Sequence, residues 1–476
     1  MASQLNEKHE ESTLSSPAAS SPELAHPYGQ YDEKAGGGGV LPAQRRPRFS
    51  RSSSPSRASV APSMLPGGGR KGRGGPIVVS SNLLKGPIAK PWLKPARYAW
   101  VPRALFIALS LLGGVLGGVQ IYFGVKSVPR LGNVCLVLDE QFAGNTLDPK
   151  VWTREVGVDG WGNGEFEWST DDDANARVED GVLYITPTLT EEKLGKDAIF
   201  DGYNLTVAGC TTGNGSQCWV ASNATAGTVI NPVMSARLST RLSKSVKYGR
   251  IEVRARMPRG DWLWPAIWMM PKDNVYGAWP RSGEIDIIES RGNGPSYPSQ
   301  GRDWLSSALH WGPAPLLDAY IHTTGWWHDK HLTFDAGFHT YVLEWDEQFL
   351  WTYIDSRGAR IFNHRFHASK PFFARGNFPS TVFNGTHEVR LENPWAGSPS
   401  PGVAPFDQSF YLILDVAVGG TNGWFPDGKG KKPWVNGAAT AMRDFARAQD
   451  TWYPSWPADL NRRALAVEYV KMYQKC

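Results

Sequence analysis

Cysteine is scarce: four residues in 476 cannot form a disulfide scaffold that substitutes for a hydrophobic core at this size. A Rossmann glycine pattern, a phosphate loop, zinc-ligand spacing and strand–helix alternation are all missing, which removes the nucleotide-binding and zinc-binding classes those patterns mark. Tryptophan is nearly absent from the first 130 positions, where only Trp92 and Trp100 occur. Charge is absent from 104–125, and an excess of basic residues is absent from everything after it. Residues 1–103 hold 15 Lys+Arg against 6 Asp+Glu, so the chain's net +5 leaves 126–476 at about −4. The pI near 8.8 therefore averages a basic tail with a mildly acidic body, and no basic face for nucleic acid is expected. Hydrophobic residues at 41% and charged residues at 20% permit a packed core and exclude wholesale disorder.

Three regions follow. Segments 15–22, 36–39, 45–57 and 67–75 are rich in Ser, Pro, Gly and Arg and cannot bury enough apolar area to offset the entropy of ordering them, so 1–103 is expected to be a disordered tail. Residues 104–125, ALFIALSLLGGVLGGVQIYFGV, are 22 uncharged positions. At 1.5 Å per residue they span about 33 Å, enough for a bilayer core, and a single transmembrane signal-anchor helix is expected. Lys85, Lys90, Lys94, Arg97 and Arg103 precede it and only Lys126 and Arg130 follow closely, which keeps the N-terminus cytoplasmic and the C-terminal body extracellular or lumenal, a type II arrangement. The glycosylation sequons at Asn204, Asn214, Asn223 and Asn384 all lie on the body side. Gly113, Gly114, Gly117 and Gly118 form small-xxx-small pairs that would let two helices approach as a dimer, although glycine enrichment in membrane helices accounts for them equally.

The body, 131–476, reads as all-β. Strand-like runs at 182–186, 250–257, 284–290, 340–345, 351–355, 411–418 and 466–473 are separated by Gly, Pro, Asn and Asp clusters. Without helices to cover them, these strands must bury their apolar faces against one another in a sandwich of two curved antiparallel sheets. Trp345 and Trp351, in alternating runs, are expected in the core. Cys210 and Cys218 could pair within a polar loop, and Cys135 and Cys476 could tie the terminal strands together; free thiols remain an alternative.

The strongest chemical signal is Ser282-Gly283-Glu284-Ile285-Asp286-Ile287-Ile288-Glu289-Ser290. Strand alternation puts Glu284 and Asp286 on one face and Ile285 and Ile287 on the other. Glu289 falls out of parity unless one bulge residue near 287–288 restores it. Three acids crowded on one face repel, so at least one should hold its proton. That is the array a retaining glycosidase uses, with one carboxylate attacking the sugar and another protonating the leaving oxygen. Glu284 is then the nucleophile, Glu289 the general acid/base, and Asp286 a hydrogen-bonding assistant to Glu284.

The surroundings favour a sugar cleft. Trp262, Trp264 and Trp268 lie in GDWLWPAIWMMP, Trp279 precedes the acids, Trp161 and Trp168 flank Asn163 and Glu165, Trp311 follows His310, and Trp424 follows Asn422. Tryptophan faces stack on sugar C–H faces while amides and carboxylates bind hydroxyls. Together with YGRIEVRARMPRGDWLWPAIWMMP, SGEIDIIESRGN, FHTYVLEWD, FYLILDVAVGGTNGWFPD and ALAVEYVKMY, the chain resembles glycoside hydrolase family 16 in its bulged form, on the laminarinase and β-1,3-glucan-recognition branch. The resemblance covers most of 140–474. It implies a concanavalin-like β-jelly roll, retaining endo-cleavage of β-glucan, and the roles of Glu284, Asp286 and Glu289 given above. It also implies Trp264 and Trp268 as cleft walls and Asn163 and Glu165 as sugar-binding residues. Trp279, His310 and Trp424 complete the expected substrate-binding set. No cofactor and no catalytic metal are expected; the resemblance allows a structural calcium, but no loop has suitable ligand spacing. Asp415 stands where relatives often carry Asn. The expected partners are a β-glucan and, through 104–125, a lipid bilayer. The competing reading is a tethered glucan-binding or wall-assembly protein without turnover, or a transglycosylase.

Overall fold

The computed structural model describes residues 87, 90–93 and 97–476 apart from 214 and 384. Most of the expected disordered tail and the sequons at Asn214 and Asn384 lie outside the described residues.

An α-helix, Val101–Ser127, contains the expected apolar segment and extends it by three residues at one end and two at the other, taking in the flanking cations Arg103 and Lys126. Its 27 residues are long and apolar enough to cross a membrane. None of its residues is buried by protein.

The body is built on two antiparallel sheets. One has eight strands, in the order Arg360–Arg365, Phe349–Ile354, His339–Trp345, Gly249–Arg256, Leu465–Lys475, Val182–Ile185, Ala176–Glu179, with Val134–Glu140 added beside Leu465–Lys475. The other has seven, in the order Thr324–His328, Trp304–His310, Glu284–Glu289, Leu263–Pro271, Phe410–Val418, Arg237–Ser239, Thr153–Glu155. Strict alternation of buried and half-buried residues along Gly249–Arg256 shows why this sequence is a strand: Ile251, Val253 and Ala255 enter the core while arginines and Glu252 stay outside. The facing sheet contributes Ile285, Ile287, Ile288, Leu412, Leu414, Val416 and Val418, all essentially inaccessible. Each such aliphatic side chain contributes roughly 1.5–3 kcal/mol by leaving water, so the core face of the acid-bearing strand is strongly specified.

Two expectations need correction. The body is not free of helices: short ones occur at Glu191–Leu194, Lys196–Phe200, Phe372–Arg375, Ala441–Arg447 and Gln449–Trp452, each too short to show a 3.6-residue period. Trp345 and Trp351 are both buried, but only Trp345 joins the core between the sheets. Trp351 lies beneath the guanidinium groups of Arg357 and Arg360, 5.0 and 4.7 Å from its ring.

All four cysteines are paired, Cys135 with Cys476 and Cys210 with Cys218. The first joins the neighbouring strands Val134–Glu140 and Leu465–Lys475 at the chain's end. The second closes the hairpin of Asn204–Thr206 with Trp219–Ala221, which packs over a small second core formed by Val156, Ile199, Leu205, Val207 and Ile230.

Candidate active site

The strand Glu284–Glu289 carries the expected bulge. Its pairing with Trp304–His310 runs Glu284 to His310 and Asp286 to Ala308, then skips to Glu289 opposite Ser306. The pairing with Leu263–Pro271 slips at the same place, from Asp286 opposite Trp268 to Ile288 opposite Ile267. One extra residue therefore lets Ile287 and Ile288 both enter the core while Glu289 returns to the face of Glu284 and Asp286.

Each acid has a different partner. Trp279 donates its indole N–H to Glu284 Oε2 at 2.6 Å. Trp264 donates to Glu289 Oε1 at 2.9 Å, and the Ser306 hydroxyl stands 3.5 Å from Oε2. The Asp286 Oδ2 faces His310 Nε2 at 3.2 Å without accepting a hydrogen bond. Nδ1 of His310 meets Asp318 Oδ2 at 2.5 Å.

The electrostatics follow from burial and crowding. Burial, with Glu284 beside it, pushes the Asp286 carboxyl well above the usual range, partly offset by His310. Burial also raises Glu289; His310 and the Trp264 N–H favour its charged form and Glu284 opposes it. Burial alone would lower His310, but Glu284, Asp286 and Asp318 outweigh it and hold the imidazolium well above the ordinary histidine range. Ligand atoms of Glu284, Asp286 and His310 lie within 4.8 Å of one another, the one group of this kind among the described residues.

Tryptophans wall the site on both sides. Trp264 stacks on Trp424 with centroids 5.0 Å apart and planes at 13°, and Trp424 continues onto Trp326 at 6.0 Å and 16°. Buried Arg291 lies 4.1 Å over Trp424 and donates from Nε and Nη2 to the Trp424 carbonyl. Along the other side, Trp268 donates its N–H to Asp415 Oδ1 at 2.9 Å, and the Arg237 guanidinium stands between the rings of Trp161 and Trp268, at 4.2 and 4.6 Å. Arg237 pairs with Glu155 at 2.7 Å. Burial pushes Asp415 up to about 7 despite the neighbouring Arg237.

The loop with Asn163 and Glu165 is tied to the loop before Trp424. Asn163 Nδ2 donates to Glu165 Oε1 at 2.8 Å, Asn422 Nδ2 donates to Asn163 Oδ1 at 3.0 Å, and Thr421 N–H donates to the Asn163 carbonyl at 2.9 Å. Glycine is required between them: at Gly164 (φ +63°) a Cβ would lie 2.2 Å from the Thr421 hydroxyl. Glu165 is buried, and burial raises its carboxyl.

Not every sequence-flagged tryptophan reaches this face. Trp262 and Trp311 are core residues, 2% and 0% exposed, and Trp168 lies against the second core under Lys193. Arg237, Arg291, Asp318 and Trp326 were not anticipated. Alternation alone could have sorted one case, since His310 facing outward puts Trp311 inward.

A family model described as glycosyl hydrolases family 16 matches residues 208–388. Over 355 residues the chain is 37% identical to a beta-1,3-glucan-binding protein of Penaeus monodon, covering 71% of this chain and 90% of that one. It is 32% identical to a glucan endo-1,3-beta-glucosidase of Cryptopygus antarcticus, covering 59% and 79%. Among solved structures it is similar to the laminarinase from Rhodothermus marinus, with 27% identity, a TM-score of 0.44, and coverage of 73% of this chain and 100% of that one.

Proposed function

This chain belongs to glycosyl hydrolases family 16, and from that premise we propose that its body is a retaining endo-β-glucanase acting on β-1,3-glucan. The observation that carries the reading is one strand presenting Glu284 and Glu289 on the same face in unlike surroundings. Both glutamates are partly buried, but Glu284 accepts the Trp279 N–H, whereas Glu289 accepts the Trp264 N–H and has its carboxyl raised by burial.

In the first step a Glu284 oxygen attacks the anomeric carbon, the glycosidic C–O bond breaks, and the Glu289 proton passes to the leaving oxygen. Glycosylation removes the Glu284 charge, which eases ionisation of Glu289. Glu289 then takes a proton from water as that water attacks the anomeric carbon and releases Glu284. Around the acids, Trp268, Trp279, Trp326 and Trp424 keep exposed ring surface that suits sugar rings, whereas Trp264 is 7% exposed. The helix Val101–Ser127, the basic residues before it and the two disulfides support a membrane-anchored form with the body outside the cytosol.

The test is reducing-end release from laminarin by the full-length protein. Glu284→Gln should lower turnover by at least ~10³-fold with laminarin binding retained; undiminished turnover would overturn the mechanism. A second reading is supported by the name of the Penaeus monodon relative: glucan binding without hydrolysis. It expects laminarin affinity and no new reducing ends from the wild-type chain.

A further inference from the structure

His310 is held at both ring nitrogens and on one face by protein groups. On one side Nε2 faces Asp286 at 3.2 Å; on the other Nδ1 meets Asp318 Oδ2 at 2.5 Å. The Tyr320 ring lies flat on the imidazole, with centroids 4.9 Å apart and planes at 15°, and the Trp279 ring is 5.9 Å away. Asp318 is itself fixed. Its Oδ1 accepts the Trp311 N–H at 3.1 Å and the Tyr320 N–H at 3.3 Å, leaving Oδ2 for the imidazole. The side chain is only 11% exposed, so the contact is shielded from water.

Both ring nitrogens of His310 thus face carboxylate oxygens, an arrangement that suits an imidazolium protonated on both nitrogens. We propose that Asp318 is a positioning residue that keeps His310 as a cation between the acids, with Nδ1–H donated to Asp318 and the Nε2 side in ion-pair contact with Asp286. The charged and titratable groups facing His310 are Glu284, Asp286, Glu289 and Asp318, with the Tyr320 ring on its face. The cation compensates Asp286 and favours its ionised form against the burial that raises it. After glycosylation removes the Glu284 charge, the same cation eases loss of the Glu289 proton as it becomes the base. This assignment rests on the glycosidase reading for its catalytic consequence, but the state of His310 does not.

Asp318→Asn separates the roles. It keeps an oxygen to accept the two backbone N–H groups but presents an NH₂ to Nδ1, which can then only accept, so His310 becomes neutral. In the full-length chain in detergent with ¹⁵N-labelled histidine, the His310 signal is identified by its loss in His310→Gln. The wild type should show both ring nitrogens protonated at pH 7.5, and Asp318→Asn one. Laminarin turnover should fall roughly 10- to 100-fold in kcat with KM within about twofold and a changed pH profile, and Asp318→Glu should recover part of it. A neutral His310 in the wild type, or Asp318→Asn with unchanged His310 protonation, overturns the assignment. A doubly protonated His310 in a wild type that cleaves no β-glucan instead sinks the enzymatic reading and leaves the clamp standing.

Discussion

The indole N–H of Trp264 reaches Glu289 Oε1 at 2.9 Å while the same ring is stacked on Trp424. One side chain therefore both joins the tryptophan stack and donates to a carboxylate of the acid strand. Trp264→Phe keeps most of the ring and deletes the donor. That N–H favours the ionised form of Glu289, so its loss should raise this carboxyl further. On the proposed glycosidase mechanism, loss of the Glu289 proton sets the alkaline limb of kcat/KM, which should move to higher pH. The maximum should fall by about tenfold as the acid weakens and loses its alignment. A pH–rate profile on laminarin checks it; an unmoved alkaline limb would mean the indole only packs.

Arg291 links the end of the acid strand to Trp424 through the Trp424 carbonyl and ring, and Nη1 donates to the Ser299 carbonyl at 2.6 Å. A lysine cannot serve two carbonyls in one plane while lying flat on an indole. Arg291→Lys should loosen Trp424 and raise KM for laminarin about tenfold, with a smaller effect on kcat, and should destabilise by roughly 2–4 kcal/mol. Steady-state kinetics and thermal unfolding test both. Unchanged KM would remove Arg291 from the sugar wall.

These two residues also show where sequence reading stops. The acids were legible because their signal is local: alternation, one break in parity and isoleucines opposite specify a bulged strand within nine residues. The sheet strands were legible for the same reason. The partners of Arg291 and Arg237 depend on register between strands far apart in sequence. Glu155, Arg237 and Asp415 become neighbours only once Arg237–Ser239 is seated between Thr153–Glu155 and Phe410–Val418. His310 was flagged for sugar contact, but Asp318 is recruited by the turn after its strand, and no spacing rule points to it. Tryptophan spacing could not separate the buried Trp262, Trp264 and Trp311 from the partly exposed Trp268 without the backbone path around them.

The Cys135–Cys476 disulfide closes a separation of 341 residues and holds the last strand, Leu465–Lys475, against Val134–Glu140. Leu465–Lys475 is interior to the eight-stranded sheet, so fraying it uncovers Val467, Val470 and Met472. Cys476→Ser should cost about 2–5 kcal/mol, seen as a lower Tm, with turnover at 25 °C unchanged because the bond lies outside the acid-bearing sheet. Reductant should lower the Tm of the wild type substantially more than that of the variant. Equal responses would show that the stabilisation comes from the Cys210–Cys218 pair.

Asp415 gives the sharpest pH prediction because it is buried, near Arg237, and accepts the Trp268 N–H. Its folded-state carboxyl is pushed up to about 7 from 3.8, which fixes the sign. A group raised on folding stabilises fully below its unfolded value, and that contribution is lost as pH climbs through the folded value. Asp415 should therefore favour the folded state near pH 4 and progressively less towards pH 7, above which a buried carboxylate beside Glu155 and Glu165 persists at a cost. Asp415→Asn keeps an acceptor for Trp268 and leaves Glu155 paired with Arg237, so the network survives without the titration. The variant should gain on the wild type by about 2–4 kcal/mol between pH 4 and pH 8. Thermal unfolding of both proteins across that range tests this. Parallel stability curves would show that Asp415 is already ionised in the folded protein at low pH, with Arg237 outweighing its burial.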